Sequence, residues 1–129
     1  MNTFWDPIRK KTIINTKEEI VRQFIISYLI NNFNNNKSLF RVEKKIITYN
    51  KNINYRPDIV VYDKYGKVFL IIECKANDVK INDEVIYQIQ RYNYNLHSSY
   101  LIITNGNVLY CWHLENSNYV ISNIPYFKY

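Results

Sequence analysis

Three residues in the middle of the chain have types and spacing suited to catalysis. Asp58 opens the segment PDIVVYD, and Glu73 and Lys75 close the segment VFLIIECK. Side chains two apart in a strand project from the same face, so Glu73 and Lys75 point together while Cys74 turns the other way into the core. If Asp58 lies opposite Glu73, two carboxylates converge at a sheet edge with an ammonium beside them. Paired carboxylates are hard oxygen donors of the kind Mg²⁺ takes, and Mg²⁺ keeps waters that can be activated next to it. The lysine can orient an attacking water or stabilise developing negative charge. That combination suits hydrolysis of a phosphodiester.

Register decides whether the three meet. A two-residue turn at Tyr65-Gly66 pairs position 58 with 73, whereas a three-residue loop over 64–66 pairs 58 with 72 and turns Glu73 to the opposite face. The catalytic arrangement therefore requires an even-length loop or a bulge that restores the parity.

The elements that must hold these residues follow from periodicity. Thr16, followed by Lys17, Glu18 and Glu19, reads as a helix N-cap with acids in the first turn. Apolar residues at 21, 24, 25, 28 and 29 carry the helix to residue 29 or 30. Segments 39–49, 57–63 and 67–75 read as strands, with Gly66 in the turn between the last two. Asn82 caps a second helix running to about residue 95, with Val85, Ile89, Tyr92 and Leu96 along one face. Strands follow at 99–104, 107–113 and 119–124, the first two joined at Asn105-Gly106, a hairpin signal. The expected order is α-β-β-β-α-β-β-β, an α/β fold with a central mixed sheet flanked by helices.

Helical geometry ranks the polar residues near these faces. With the apolar stripe of the first helix centred near 21, 25 and 28, Glu18 lies about 60° from that centre and Glu19 about 160°. Glu18 thus borders the packed face, and Glu19 is expected in solvent. Arg22, one turn beyond Glu18, pairs with it or contacts a phosphate. In the second helix the same argument favours Gln88 over Gln90 and Tyr92 over Tyr94.

At 129 residues the chain is one domain, 1–129, with no room for a motor or second catalytic lobe. The longest apolar run, 24–30, is broken by Ser27 and far too short to span a membrane, and the N-terminus lacks a signal-peptide stretch, so the expected location is the cytoplasm. Two cysteines make no disulfide framework and lack zinc-site spacing; both sit in apolar runs as small core residues. The formal charge of +6 suits a polyanionic partner. Arg9-Lys10-Lys11 and Lys44-Lys45 read as solvated charge unless the fold assembles them beside the acids. His97 and His113 have no motif partner and read as structural or surface residues.

Taken in order, Pro57-Asp58, Glu73-Cys74-Lys75, a preceding helix acid and Gln88-x-x-x-Tyr92 resemble the PD-(D/E)xK nuclease superfamily. More narrowly, FWDPIRKK, TKEEIVRQ, RPDIVVYD, IIECKA, YQIQRYN and YLIITNG resemble the N-terminal nuclease domain of type I restriction enzyme R subunits, especially its short stand-alone relatives. The resemblance implies a restriction-endonuclease-like core and a metal-dependent DNA endonuclease. Asp58, Glu73 and the Cys74 backbone carbonyl would hold Mg²⁺ or Mn²⁺, Glu18 would complete the site, and Lys75 would assist the water. Gln88 and Tyr92 match an element that supports the site and contacts DNA. R subunits carry a translocating motor after this domain, so the implied partners are DNA and a separate motor or specificity subunit. Two other readings share the motifs: a dimeric, structure-selective nuclease of the Holliday-junction-resolvase kind, and a non-catalytic DNA-binding module on the same fold.

Overall fold

The computed structural model describes residues 2–32, 37–42, 56–94 and 96–125. Its centre is a six-stranded mixed sheet in the order β3-β4-β5-β6-β7-β8, built from Phe40–Val42, Ile59–Tyr62, Val68–Cys74, Tyr100–Thr104, Leu109–Glu115 and Asn118–Ile121. Helix α1 spans Lys17–Asn32 and helix α2 spans Asp83–Tyr94. Only the β5–β6 pair is parallel, and α2 supplies the crossover that parallel neighbours require. The expected α/β architecture is the one observed. The outer part of the expected 39–49 strand, with Lys44 and Lys45, lies outside the described residues.

Strand alternation divides the core between the two faces of the sheet. Ile59, Val61, Leu70, Ile72, Cys74 and Ile102 pack with Val21, Ile25, Ile26 and Leu29 of α1. Val60, Ile71, Leu101 and Ile103 pack with Ile81 and Ile89 on the α2 side. Burying each of these aliphatic side chains contributes about 1.5–3 kcal/mol. The sheet's centre is therefore a rigid mount, and what stands at its ends is held in place.

Both helix caps form as read. Thr16 Oγ1 accepts the Glu19 N–H at 3.1 Å, and Asn82 Oδ1 accepts the Val85 N–H at 3.0 Å. The Asn105-Gly106 hairpin also forms, but its turn covers residues 105–108, so β7 starts later than expected. Asn105 Oδ1 accepts the N–H groups of Asn107 and Val108, and Thr104 Oγ1 accepts that of Gly106, which closes the longer turn.

One element is absent from the sequence reading. Strands β1, Thr3–Asp6, and β2, Lys11–Ile14, form a separate antiparallel hairpin before α1. Its turn is built on Asp6, whose carboxylate is fully buried and whose Oδ1 accepts the N–H groups of Ile8 and Arg9 at 2.8 and 3.1 Å. Burial works to raise the Asp6 pKa, but the Arg9 guanidinium and these two backbone donors bring it below its ordinary value.

Candidate active site

The register of β4 and β5 at positions 58 and 73 combines the two alternatives. The β4–β5 loop has three residues, 64–66. Asp63 N–H donates to the Lys67 carbonyl at 2.8 Å, Asp63 Oδ1 accepts from Tyr65 and Lys67 N–H, and Gly66 takes φ +81°. That loop alone would place 58 opposite 72. Instead Tyr62 pairs with Val68 but Val61 pairs with Leu70, so Phe69 is an extra residue on β5. The ladder then ends with Ile59 opposite Ile72, and the next residues on either side are Asp58 and Glu73.

Strand β4 begins at Ile59, so Asp58 sits at a bend just outside it. That frees its carboxylate to reach towards α1. Asp58 Oδ2 accepts the Cys74 N–H at 2.8 Å, and Oδ1 accepts from Arg22 Nη2 at 2.7 Å. Glu73 follows strand parity to the face opposite buried Cys74. Lys75 extends the parallel ladder one step, its N–H donating to the Thr104 carbonyl at 2.9 Å. The loop that follows is pinned by the β6–β7 turn, where Asn105 Nδ2 donates to the Val79 carbonyl and Asn107 Nδ2 to that of Asn77.

Arg22 is the centre of the charge arrangement. Its side chain is only 3% exposed, and its guanidinium donates to Glu18, Glu19 and Asp58. Of its two sequence readings the ion pair is the one seen, with the guanidinium buried among acids. Glu18, with 47% of its side chain exposed, reaches the same cluster from the first turn of α1. Its pKa is raised, first by burial and then by the neighbouring Asp58 charge; Arg22 and Lys75 oppose the shift. Two carboxylates sharing the Arg22 guanidinium define the cluster.

The expectation that Glu19 is solvated is incorrect. Its side chain is 12% exposed and accepts two hydrogen bonds from Arg9 Nη2, both at 2.8 Å, as well as one from Arg22. The sheet packs against one side of α1, and the β1–β2 hairpin, which is absent from the helical period, covers a second. Arg9 also donates to Asp6, so an unbroken chain of ion pairs runs Asp6–Arg9–Glu19–Arg22–Asp58. Arg9 is thus no solvated charge. The signal that could have exposed the hairpin was Asp6-Pro7, a turn dipeptide between the apolar pairs Phe4-Trp5 and Ile13-Ile14.

Gln88 is not brought into this cluster: it is exposed on α2, across the sheet from α1, and the Tyr92 side chain is outside the described part. Both cysteines are free and buried; burial, with Asp58 beside it, holds the Cys74 thiol well above its ordinary pKa. Among the described residues, no three His, Cys, Asp or Glu side chains close on a point as a ready-made ion cage, and no helix is long and apolar enough to cross a membrane.

Residues 17–126 match the family model of the type I restriction enzyme R protein N terminus. The chain belongs to that family. Within this R-protein N-terminal domain, the matched segment contains Glu18, Asp58, Glu73 and Lys75, while the β1–β2 hairpin with Asp6 and Arg9 precedes it. No curated protein matches the chain.

Proposed function

We propose that this R-protein N-terminal domain is a metal-dependent DNA endonuclease of the PD-(D/E)xK type, working in the cytoplasm with companion subunits of a restriction system. The observation that carries the reading is the crowding of the Glu18 and Asp58 carboxylates around Arg22 at the end of β4 and β5, with the Lys75 charge acting on Glu18. Like charges held together in this way favour a cation between them.

The donor set fits Mg²⁺ or Mn²⁺. Such ions bind through one or two carboxylates and retain several waters, so a closed protein cage is not needed. Asp58, Glu73 and the Cys74 backbone carbonyl would hold the ion, with Glu18 completing the set. Bound there, it would neutralise charge on the scissile phosphate and lower the pKa of a coordinated water.

The chain's own residues do the rest. The Cys74 N–H fixes one Asp58 oxygen and so orients the other. Arg22 keeps the acids together before an ion arrives. Lys75 Nζ orients the water and stabilises negative charge as it develops on the phosphate. Water adds to phosphorus, the bond to the leaving sugar oxygen breaks, and a proton passes to that oxygen, leaving an alcohol and a phosphomonoester.

The test is cleavage of supercoiled, linear, single-stranded and four-way-junction DNA with Mg²⁺ or Mn²⁺. Asp58→Ala should abolish cleavage, and Lys75→Ala should slow it about 10²–10³-fold, as removal of one charge-stabilising donor does. Cleavage by Asp58→Ala at the unaltered rate would sink the assignment.

A further inference from the structure

Strand β8 closes one side of the six-stranded sheet, and among the described residues no strand lies beyond it. The Ser122 N–H donates to the Cys111 carbonyl at 2.9 Å, which fixes the hydrogen-bond phase of the β7–β8 ladder. Residues 118, 120 and 122 bond inward to β7, so the N–H and C=O groups of Tyr119 and Ile121 point outward from the sheet edge. Such a row of backbone groups is a template for another strand, and sheets ordinarily guard it with charged side chains, proline or a bulge. Strand β8 has none of these. It reads Asn118-Tyr119-Val120-Ile121, pairs with β7 without a register break, and ends before Pro125. Its brevity is the one guard present.

The side chains make this edge apolar on both faces. Ile121 stands opposite Trp112 on the α2 side and is 80% exposed, more than any other large apolar residue described. Val120 stands opposite His113 on the α1 side and is 44% exposed. Single exposed apolar residues are ordinary, but adjacent ones on the two faces of a bare edge form a pairing surface.

Charge selects the occupant. Between Arg91 and Lys128 the only acidic or basic residue is Glu115, in a chain with 17 Lys and Arg and 11 Asp and Glu. Strands β6 and β8 therefore carry no charge, and β7 carries one only at its last residue. A polyanion finds no cation along this edge, and a strongly charged protein surface finds no complement. Two copies of the chain, each at +6, repel one another and can approach closely only through neutral surface, which this edge supplies. Depletion of charge with enrichment in aromatic residues is also the composition of interface centres.

We propose that β8 pairs antiparallel with β8 of a second copy, joining the two six-stranded sheets edge to edge. The outward phase sets the register. Tyr119 faces Ile121 of the second copy and Ile121 faces its Tyr119, so the outward groups of all four residues bond, while Val120 meets its own counterpart on the two-fold axis. Aromatic and β-branched side chains opposite one another stabilise such pairs. One patch serves both copies, as a closed two-fold dimer requires. Four residues a side make a small seam, so the association is reversible, with a dissociation constant of roughly micromolar or weaker.

Sedimentation equilibrium from about 1 μM to about 1 mM reads the association. The unaltered chain passes from monomer towards dimer over this range. Ile121→Lys sets an ammonium beside each Tyr119 at the seam and weakens the association at least about tenfold. Register is read by cross-linking. Val120 and its counterpart form a non-hydrogen-bonded pair, whose Cα atoms stand about 4.5 Å apart, within disulfide reach. With an added thiol oxidant, Val120→Cys gives a disulfide-linked dimer and Asn118→Cys, two residues from the axis, does not. Cys74 and Cys111 are buried and stay out of the reaction. All three substituted positions are exposed, so the variants keep the fold, which far-UV circular dichroism checks.

A protein that stays monomeric throughout would overturn the proposal and leave the edge to a companion chain. A dimer that Ile121→Lys leaves unchanged would overturn it by placing the contact elsewhere. Cross-linking of Asn118→Cys as fast as Val120→Cys would overturn the register. None of these results bears on the endonuclease reading, which DNA cleavage tests separately.

Discussion

Replacing Arg22 by methionine keeps the length and apolar stem of the side chain and removes its charge. The guanidinium is buried and shared by Glu18, Glu19 and Asp58, so its loss leaves three neighbouring carboxylates with Arg9, the Cys74 N–H and the Lys75 charge as compensation. Breaking a buried ion cluster from one side costs about 3–5 kcal/mol, a large part of a domain's usual stability of about 5–15 kcal/mol. The urea midpoint should fall by roughly 2 M, and the melting temperature by about 10–18 °C for a chain of this size. The sign of the pH dependence follows from Glu18. Burial and the Asp58 charge already raise its pKa while Arg22 opposes them, so without Arg22 it rises further, and the added cost is present at pH 7 and disappears as pH falls below the unfolded value. The gap between the two proteins is therefore widest near neutrality and narrows towards pH 4. Under the proposed function a divalent cation should stabilise the variant by about 1.4 kcal/mol at ten times its dissociation constant. Urea melts at several pH values, with and without Mg²⁺, measure all of this. An unchanged midpoint, or a gap of equal size at pH 4 and pH 7, would show that Arg22 is not the counter-ion of these acids.

Glu18→Gln removes a carboxylate whose pKa is raised by burial and by Asp58. A raised acid costs stability above its folded pKa and nothing below its unfolded one, so the variant should melt higher than the parent at pH 7 and equally at pH 3. Losing cleavage while gaining stability is the expected pairing, and a lower melting temperature at pH 7 would contradict it. Gly66→Ala tests the β4–β5 loop: Gly66 takes φ +81° with open space where a Cβ would stand, so the cost is conformational alone, about 1–2 kcal/mol in a urea melt. A neutral result would mean that the loop relaxes to another turn.

Much of this arrangement is legible in the sequence, and what is not has physical reasons. Both helices are announced by Thr16 and Asn82 and by apolar periods, because capping and burial act locally. The pairing of Asp58 with Glu73 is legible only as a condition on parity. VFLIIEC is apolar on both faces, so no alternation marks Phe69 as the inserted residue. The length of the β6–β7 turn depends on side-chain hydrogen bonds from Thr104 and Asn105, which a two-residue motif does not encode. Helix α1 misleads the eye for another reason. Ile20 and Phe24 are apolar yet exposed, while Arg22 is polar yet buried, so the buried face is rotated from the apolar stripe towards Arg22 and Ile26. Only the hairpin explains why that rotation is tolerated: Arg9 supplies Glu19 with a partner that no pattern within α1 reveals.

The ion-pair chain also bears on why the acids are arranged as they are. A buried arginine shared among acids is seldom more stable than apolar residues filling the same space. Here the arrangement carries a visible cost, since Glu18 is pushed towards its protonated form by its neighbour Asp58. An apolar residue at position 22 would remove the need for a counter-ion only if the acids were removed with it. The acids therefore set the requirement, and Arg22 answers it. Glu18 reaches solvent, whereas Asp58 is anchored from below by the Cys74 N–H. Under the proposed function, one exposed carboxylate beside one anchored carboxylate would suit a cation arriving from outside, the anchored acid setting its position. Arg22 has an alternative partner in Glu19, itself held by Arg9, and so can yield Asp58 to an incoming ion without being left as an unpaired buried charge. On this reading the hairpin that precedes the family segment belongs to the site, because it provides the anchor that lets Arg22 let go.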